Sequence, residues 1–559
     1  MRRFIRPIRA NLLNSSKNAS GHGTATNSGQ KDLPDKVKEK PFLSPDLEAN
    51  LGIIKEIFND CSDIIYREFI FAQREDIRLA LIYVDGLVDK PQLSEQIIRA
   101  LALELPVASP GADISKARAY NLIKERSLCI HQVKETDRLE DVIEAVLSGD
   151  TVLLVDGHAT AIINGARGWE SRKITEPDTE VVVRGPRDCF VETLRTNTAL
   201  IRRKIKNSNL KIIELKLGQV TKTDVAVVYI KGIANDKLVE EVKSRLQRID
   251  IDGVLESGYI EELIEDNPWS PFPQVNHTER PDKLASRLLE GRAGILVDGT
   301  PFALSVPNVF IEYLHAPEDY YERFLFASAI RLIRFLALFL SMVAPSLYIA
   351  VITYHQEMLP TALLLSIAAQ REAVPFPAFA EVLLMEVAFE ILREAGVRLP
   401  RQVGQAVSIV GALIIGEASV RAGLVAPSTV ILVALTGISS FVFFYSVSIA
   451  TRLLRFPIMV LSATLGLFGL ISGIIIIVVH LCTLRSFGTP YLSPMAPIST
   501  GDMKDMVIRA PWWAMPARPR LIGQANPQRQ EQGLKPAPPE NRPGGKGGDG
   551  SAGKEQNRR

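Results

Sequence analysis

Cysteine is scarce in this chain of 559 residues: Cys61, Cys129, Cys189 and Cys482 stand far apart, with no C-x-x-C pair among them. That spacing signals neither a structural zinc site nor a disulfide framework. An excess of either charge is also missing, since 65 basic side chains face 63 acidic ones for a net charge of +2. Nothing in that balance calls for nucleic acid or an acidic substrate as partner. The start, MRRFIRPIRANLL, has no apolar h-region of about 7–15 residues and no cleavage site, so no secretory signal is expected. The region ahead of the first apolar run is therefore expected in the cytoplasm. Neither G-x-x-x-x-G-K-[S/T] nor H-E-x-x-H nor G-x-S-x-G occurs, and Gly545-Lys546-Gly547 lacks the hydroxyl and the strand-helix setting of a phosphate loop. No catalytic, cofactor-binding or metal-binding residue is assigned, and the chain is not expected to be an enzyme.

What the chain does have is apolar length. Phe335 to Tyr354 is twenty residues without Asp, Glu, Lys or Arg, Ala422 to Thr451 is thirty, and Phe456 to Leu484 is twenty-nine. A bilayer core about 30 Å thick needs roughly 20 apolar residues at 1.5 Å each. Buried helices of soluble cores average about 11–12 residues, so these runs read as membrane spans. With Gln402 to Val420 they make four, and six if Met358 to Ala369 and Phe376 to Leu392 also cross. Five crossings stay open.

Ahead of them, residues 1–45 are rich in Asn, Ser, Gly, Lys and Pro and read as disordered. From Leu47 on, strand-like runs alternate with helical ones, which gives an α/β or α+β region of two subdomains, 46–185 and 186–267. Asp85-Gly86, Asp156-Gly157 and Asp298-Gly299 each end a strand-like run and read as tight turns. Residues 268–330 are expected to hold a connector, a hairpin and a helix leading into the membrane. The connector is Asn267, Pro268, Trp269, Pro271 and Pro273, stiff because each proline fixes its own φ and biases its predecessor away from helix. Residues 331–485 form a polytopic α-helical transmembrane domain of four to six spans, and 486–559 a basic, Pro/Gly-rich tail expected to be largely disordered. Basic ends can also touch anionic lipid headgroups.

Within the apolar region four carboxylates stand out, because one at the bilayer centre costs about 2.5–3.5 kcal/mol. They are Glu381, Glu386, Glu390 and Glu417. Repeated around an axis, such residues would form an acidic ring that favours cations. A wet interfacial helix for the first three, and an i,i+4 ion pair with Arg421 for Glu417, are equally open. Ser439 and Ser440 either pack helices closely or face water in a pore.

Longer stretches resemble one family. They include Val183-Arg184-Gly185-Pro186-Arg187, Arg195-Thr196-Asn197, Leu200-Ile201-Arg202-Arg203, Asn267-Pro268-Trp269, Glu279-Arg280-Pro281-Asp282 and Leu296-Val297-Asp298-Gly299-Thr300-Pro301. Glu318-Asp319-Tyr320-Tyr321, Pro345-Ser346-Leu347-Tyr348 and Gly416-Glu417-Ala418 continue the pattern. From about residue 50 to 500 the chain resembles the A subunit of GerA-type spore germinant receptors. The resemblance implies a multi-pass protein of the spore inner membrane, acting with a germinant-binding B subunit and a lipoprotein C subunit. It further implies a homo-oligomer, a pentamer, forming a germinant-gated channel that releases monovalent cations. A SpoVAF-like accessory paralogue fits the same pattern, and a non-conducting scaffold or signal relay is the competing reading.

Overall fold

The computed structural model describes residues 41–70, 77–94, 120–121, 133–168, 177, 179–400, 411, 414–443, 445–531 and 533–538. The sequence also predicts a helix over 92–103, and that segment lies mostly outside the described residues.

In the first subdomain, helix α1 (Leu47–Ile57) is followed by strands β1 (Ile64–Ile70), β2 (Arg78–Val84) and β3 (Val133–Thr136). Helix α2 (Leu139–Leu147), β4 (Thr151–Val155) and β5 (Ala161–Asn164) complete it. The sheet order is β1-β2-β4-β5-β3, antiparallel throughout. Leu47, Leu51 and Ile54 of α1 and Val142, Ile143 and Val146 of α2 recur at helical spacing and bury with Ala80, Ile82, Val152 and Leu154. Gly86, Gly157 and Gly299 take φ of 88°, 86° and 90°, the left-handed backbone that the three Asp-Gly turns require.

The second subdomain contains α3 (Leu194–Lys204), β6 (Leu210–Leu217), β7 (Thr223–Ile230), α4 (Asp236–Gln247) and α5 (Ser257–Ile264). It continues with β8 (Asn276–Thr278), α6 (Pro281–Glu290), β9 (Ala293–Val297) and β10 (Ala303–Val306). Its strand order is β6-β7-β9-β10-β8. Residues 268–330 therefore do more than connect. The hairpin β9–β10 exists, but β9 also pairs with β7 from Val225↔Val297 to Val228↔Gly294, so the second sheet runs past residue 267. An edge placed at 267 would leave the row of polar groups on β7 unpaired.

The basic helix α3 joins the two sheets. Fully buried Arg202 donates to both oxygens of Asp63 at 2.9 and 2.8 Å, and Arg195 reaches Asp85 and Glu214. The Asp298 carboxylate accepts from the Leu194 N–H at the start of the same helix.

The helical region comprises α7 (Phe324–Tyr354), α8 (Thr361–Arg371), α9 (Ala378–Arg398), α10 (Pro427–Ser439) and α11 (Tyr445–Thr483). Among the described residues two helices are long and apolar enough to cross a membrane, Phe324–Tyr354 and Ser446–Thr483. Their flanks expose Leu336, Phe339, Phe468 and Ile476, an apolar surface that suits lipid or protein better than water. A straight helix of 39 residues would be about 58 Å long. Instead Gly466, at φ 60° and ψ −139°, folds α11 back on itself. A Cβ on Gly473 would meet Leu461 and Ile458 at 3.4–3.5 Å, and one on Gly469 would collide with the Leu461 carbonyl. Both ends of α11 consequently meet the same soluble segment: Ser446 lies 3.3 Å from His277, and His480 lies 3.0 Å from Ser270.

The thirty-residue run is also divided, between α10 and the start of α11. Helix α8 is only eleven residues long, buries none of them, and stays at the end of the bundle away from the soluble part. Helix α9 then runs back, which brings Arg393 to the soluble side.

The tail differs most from expectation. Residues 486–531 lie along the second subdomain and bury Tyr491, Met506, Arg509, Arg518 and Ile522. Its composition is poor in aliphatic residues, but a few arginines and aromatics, well spaced, hold it down.

Candidate functional site in the helical bundle

Four sequence-selected carboxylates fall into two groups. Glu381, Glu386 and Glu390 lie on α9 inside the bundle, whereas Glu417, on the π-helical turn Ile414–Ala418, is half-exposed and pairs with Arg421. Glu417 thus adopts the i,i+4 ion pair and does not join the other three in this chain.

Inside the bundle Glu386 and Glu390 face α11. Glu386, 2 % exposed, pairs with Arg455, and Glu390 pairs with Arg452, its Oε2 accepting from Arg452 Nε at 3.2 Å. The i,i+4 spacing of the acids matches the i,i+3 spacing of the bases on adjacent helices, so the pairs stack as rungs. Glu381 is buried too; it accepts from the Ala426 N–H at 2.5 Å, capping the chain just before α10, with Arg371 at 3.6 Å. The alternative of a wet interfacial helix does not fit Glu381 and Glu386, both almost fully buried.

Ser439 and Ser440 are buried at the C-terminal end of α10. Ser440 donates to the Gly437 carbonyl at 2.7 Å and accepts from Arg393. The Arg393 guanidinium lies 5.2 Å from the Phe389 ring and 4.4 Å from the Phe441 ring, and 4.0 Å from Glu390. Arg393, Arg452 and Arg455 were not selected by the sequence. Their signal was available only as spacing, because they stand at the margins of the uncharged runs, where arginines ordinarily reach water.

The connector occupies a different place from the one expected. It links α5 to β8 within the second sheet and braces the end of α11, not the first span. Asn267 and Gln274 close it by exchanging hydrogen bonds of 3.0 and 2.7 Å, and the Trp269 N–H donates to Asn267 Oδ1. The Pro273 carbonyl accepts from Tyr313 and Tyr491 at 3.2 and 2.7 Å. Phe272 is buried against Phe310 and His480, while Trp269 is 93 % exposed. Pro268 and Pro271 fix the backbone between these contacts.

Entry into α7 is clamped by charge. Asp319, 2 % exposed, accepts from Arg331 Nε and from Arg334 Nη1, each at 2.8 Å. Asp505 of the tail accepts from Arg331 Nη1 at 2.7 Å and from the Tyr320 hydroxyl at 2.8 Å. Burial, with Arg331 beside it, holds the His315 imidazole down to about 3, so it is neutral where its Nε2 meets the Met506 carbonyl at 3.0 Å. Among the described residues no group of three or more His, Cys, Asp or Glu is arranged to hold a metal ion.

Comparison with known proteins gives a consistent picture. Residues 52–521 match the family described as Bacillus/Clostridium GerA spore germination protein. The chain is 49 % identical to spore germination protein KA of Bacillus subtilis (strain 168) over 503 residues, 90 % of this chain and 91 % of that one. It is 43 % identical to the uncharacterized membrane protein YfkQ of the same organism, covering 91 % and 98 %. Among solved structures it is similar to the N-terminal domain of the A subunit of the Bacillus megaterium spore germinant receptor GerK3. The identity there is 38 %, over 48 % of this chain and 97 % of that one, with a TM-score of 0.38.

Proposed function

The chain belongs to the Bacillus/Clostridium GerA spore germination protein family, and from that premise we propose that it is the A-type subunit of a germinant receptor in the spore inner membrane. It assembles as a ring, a pentamer, with a germinant-binding B subunit and a lipoprotein C subunit, and the ring is a gated channel for monovalent cations. The two α/β subdomains and the tail lie on the cytoplasmic side.

The observation that supports this reading best is the ladder Glu386–Arg455 and Glu390–Arg452 inside an apolar bundle. A helix bundle that only anchors a soluble domain gains nothing from such residues, since each buried ion costs several kcal/mol to desolvate. Paired, the carboxylates are unavailable to a passing cation, which describes a closed state. Separating a buried pair costs about 3–5 kcal/mol, enough to keep a channel shut until ligand binding offsets it. The clamp on Arg331 is the route by which a shift in the soluble part reaches α7.

The test is efflux from vesicles that hold this chain with its B and C partners. Germinant should release potassium, and Glu386→Gln should change the rate or the germinant threshold by at least tenfold. Germinant-independent or absent flux, or flux indifferent to Glu386→Gln, would remove the channel assignment. One observation favours the non-conducting scaffold instead: every acid on α9 already has a basic partner or a backbone N–H. Subunit count separates the two, because a single copy per purified receptor leaves no axis around which a pore could be lined.

A further inference from the structure

We propose that residues 503–513 of the tail lie in the headgroup layer of an anionic phospholipid bilayer and anchor the foot of α7 there. This rests on the reading that α7 crosses a membrane, and adds to it a second contact that does not span. The segment carries an exposed apolar patch although it is otherwise well held: Ile508 is 69 % exposed, Trp512 45 % and Trp513 38 %, whereas Met506, Arg509 and Met515 are buried. The adjoining start of α7 exposes Leu325 and Phe326 as well. Apolar residues grouped in this way mark a contact surface, which singly scattered ones do not.

Hydrogen bonds fix the height of the segment along α7. Arg331 Nη1 donates to the Asp505 carbonyl at 3.0 Å, the Arg509 N–H donates to Ser328 Oγ at 3.1 Å, and Trp512 Nε1 donates to the Tyr320 carbonyl at 3.3 Å. The uncharged run of α7 begins at Phe335, four residues past Arg331 and seven past Ser328. At 1.5 Å per residue, Asp505 and Arg509 therefore sit about 6–10 Å outside the start of that run. In a bilayer about 40–45 Å thick with a hydrocarbon core of about 30 Å, this is the level of the headgroups.

Composition selects a bilayer over another protein surface. The Arg509 and Arg529 guanidiniums lie 5.4 and 5.7 Å from the centre of the Trp512 ring, and Lys535 Nζ lies 5.4 Å from the centre of the Trp513 ring. Indoles held by cations, with apolar surface left open, suit a membrane–water interface. Protein interfaces are poor in lysine, whereas Lys504 and Lys535 are both exposed here, and exposed Arg323 immediately precedes α7. Exposed cations beside an apolar patch favour anionic headgroups. Asp505, the one acid between 503 and 513, is taken by Arg331 and the Tyr320 hydroxyl. Because that same carboxylate holds Arg331, a tail fixed among headgroups also sets the height of α7.

Quenching of tryptophan emission by brominated phospholipid reads this contact without any measurement of flux. The full-length chain is placed in nanodiscs whose lipid carries bromine on the upper acyl carbons, with and without phosphatidylglycerol. Emission should be quenched, and the double variant Trp512→Phe/Trp513→Phe should lose at least half of the quenched fraction while keeping Trp169 and Trp269. Ile508→Trp in the otherwise native chain, which removes neither indole, should raise the quenched emission. Phosphatidylglycerol should increase quenching of the native chain about twofold, and Lys504→Gln/Lys535→Gln should abolish that increase. Phe339→Trp, at an exposed position inside α7, separates the anchor from the span when it is added to the double variant. If that tryptophan is quenched while Trp512→Phe/Trp513→Phe and Ile508→Trp change nothing, as when a second copy of the chain covers the patch, the anchor is overturned and the span stands. If it is not quenched either, both fall. Quenching indifferent to phosphatidylglycerol overturns the assignment to an anionic surface.

Discussion

Glu265 sits where the soluble part meets the last helix, accepting from the Gln274 N–H at 2.9 Å. Burial, with Glu261 nearby, pushes its carboxyl up from 4.5 to about 7. The folded chain therefore holds this proton more tightly than the unfolded one. Its contribution to stability is full below about pH 4.5 and is lost as pH rises through 7. Thermal unfolding of the purified chain should show a midpoint that falls between pH 5 and 8, and Glu265→Gln should flatten that part of the slope. An unchanged slope in the variant would exclude Glu265 as its source. The same scale shows what sequence could and could not supply for the bundle. Glu381, Glu386 and Glu390 were legible because a carboxylate in an apolar run is costly wherever it lies. Their partners were not, since Arg452 is 62 residues from Glu390 and Arg455 is 69 from Glu386. Helical spacing reports which residues share a face, and says nothing about which helix will lie against it.

At the scale of elements, the long apolar run beginning at Phe456 reads from composition as one span, yet its middle is a turn. Composition measures length and polarity, and Leu-Gly-Leu-Phe-Gly is apolar whether it is straight or folded. The reversal rests on Gly466, whose backbone lies in a region essentially closed to other residues and whose missing Cβ makes room for Tyr354 and His355. Gly466→Ala should cost about 1–3 kcal/mol from backbone strain alone. The control is Gly473→Ala, where the added methyl meets Leu461 and Ile458 at ordinary contact distance. Unfolding of both variants in detergent should rank Gly466→Ala clearly below Gly473→Ala; equal midpoints would argue that α11 runs straight through. The extent of the second subdomain past residue 267 is hidden from the sequence for a related reason. Strands β7 and β9 pair across some seventy residues, and alternation along a strand carries no record of its partner.

For the whole molecule, the tail matters more than its composition suggests. It returns from α11 to the soluble part and ties together pieces that are far apart in the chain. Arg518 Nε donates to the Leu289 carbonyl at 2.7 Å, Arg529 pairs with Glu290 at 3.2 Å, and Trp512 lies beside Tyr320. The tie that bears on the bundle is Asp505 to Arg331, because without it Arg331 and Arg334 would share Asp319 alone. Two buried guanidiniums on one carboxylate leave a charge unbalanced at the foot of α7. A chain ending at Gly501 should therefore lose hydrogen-exchange protection across 309–323, the segment between the second sheet and α7. Asp505→Asn keeps the tail in place and removes only the charge. It should show a smaller loss at the same residues, about 1–3 kcal/mol in local opening free energy. Equal protection in the truncated and full-length chains would mean that the foot of α7 is held by Asp319 alone, and that the tail is a passenger on the soluble domain.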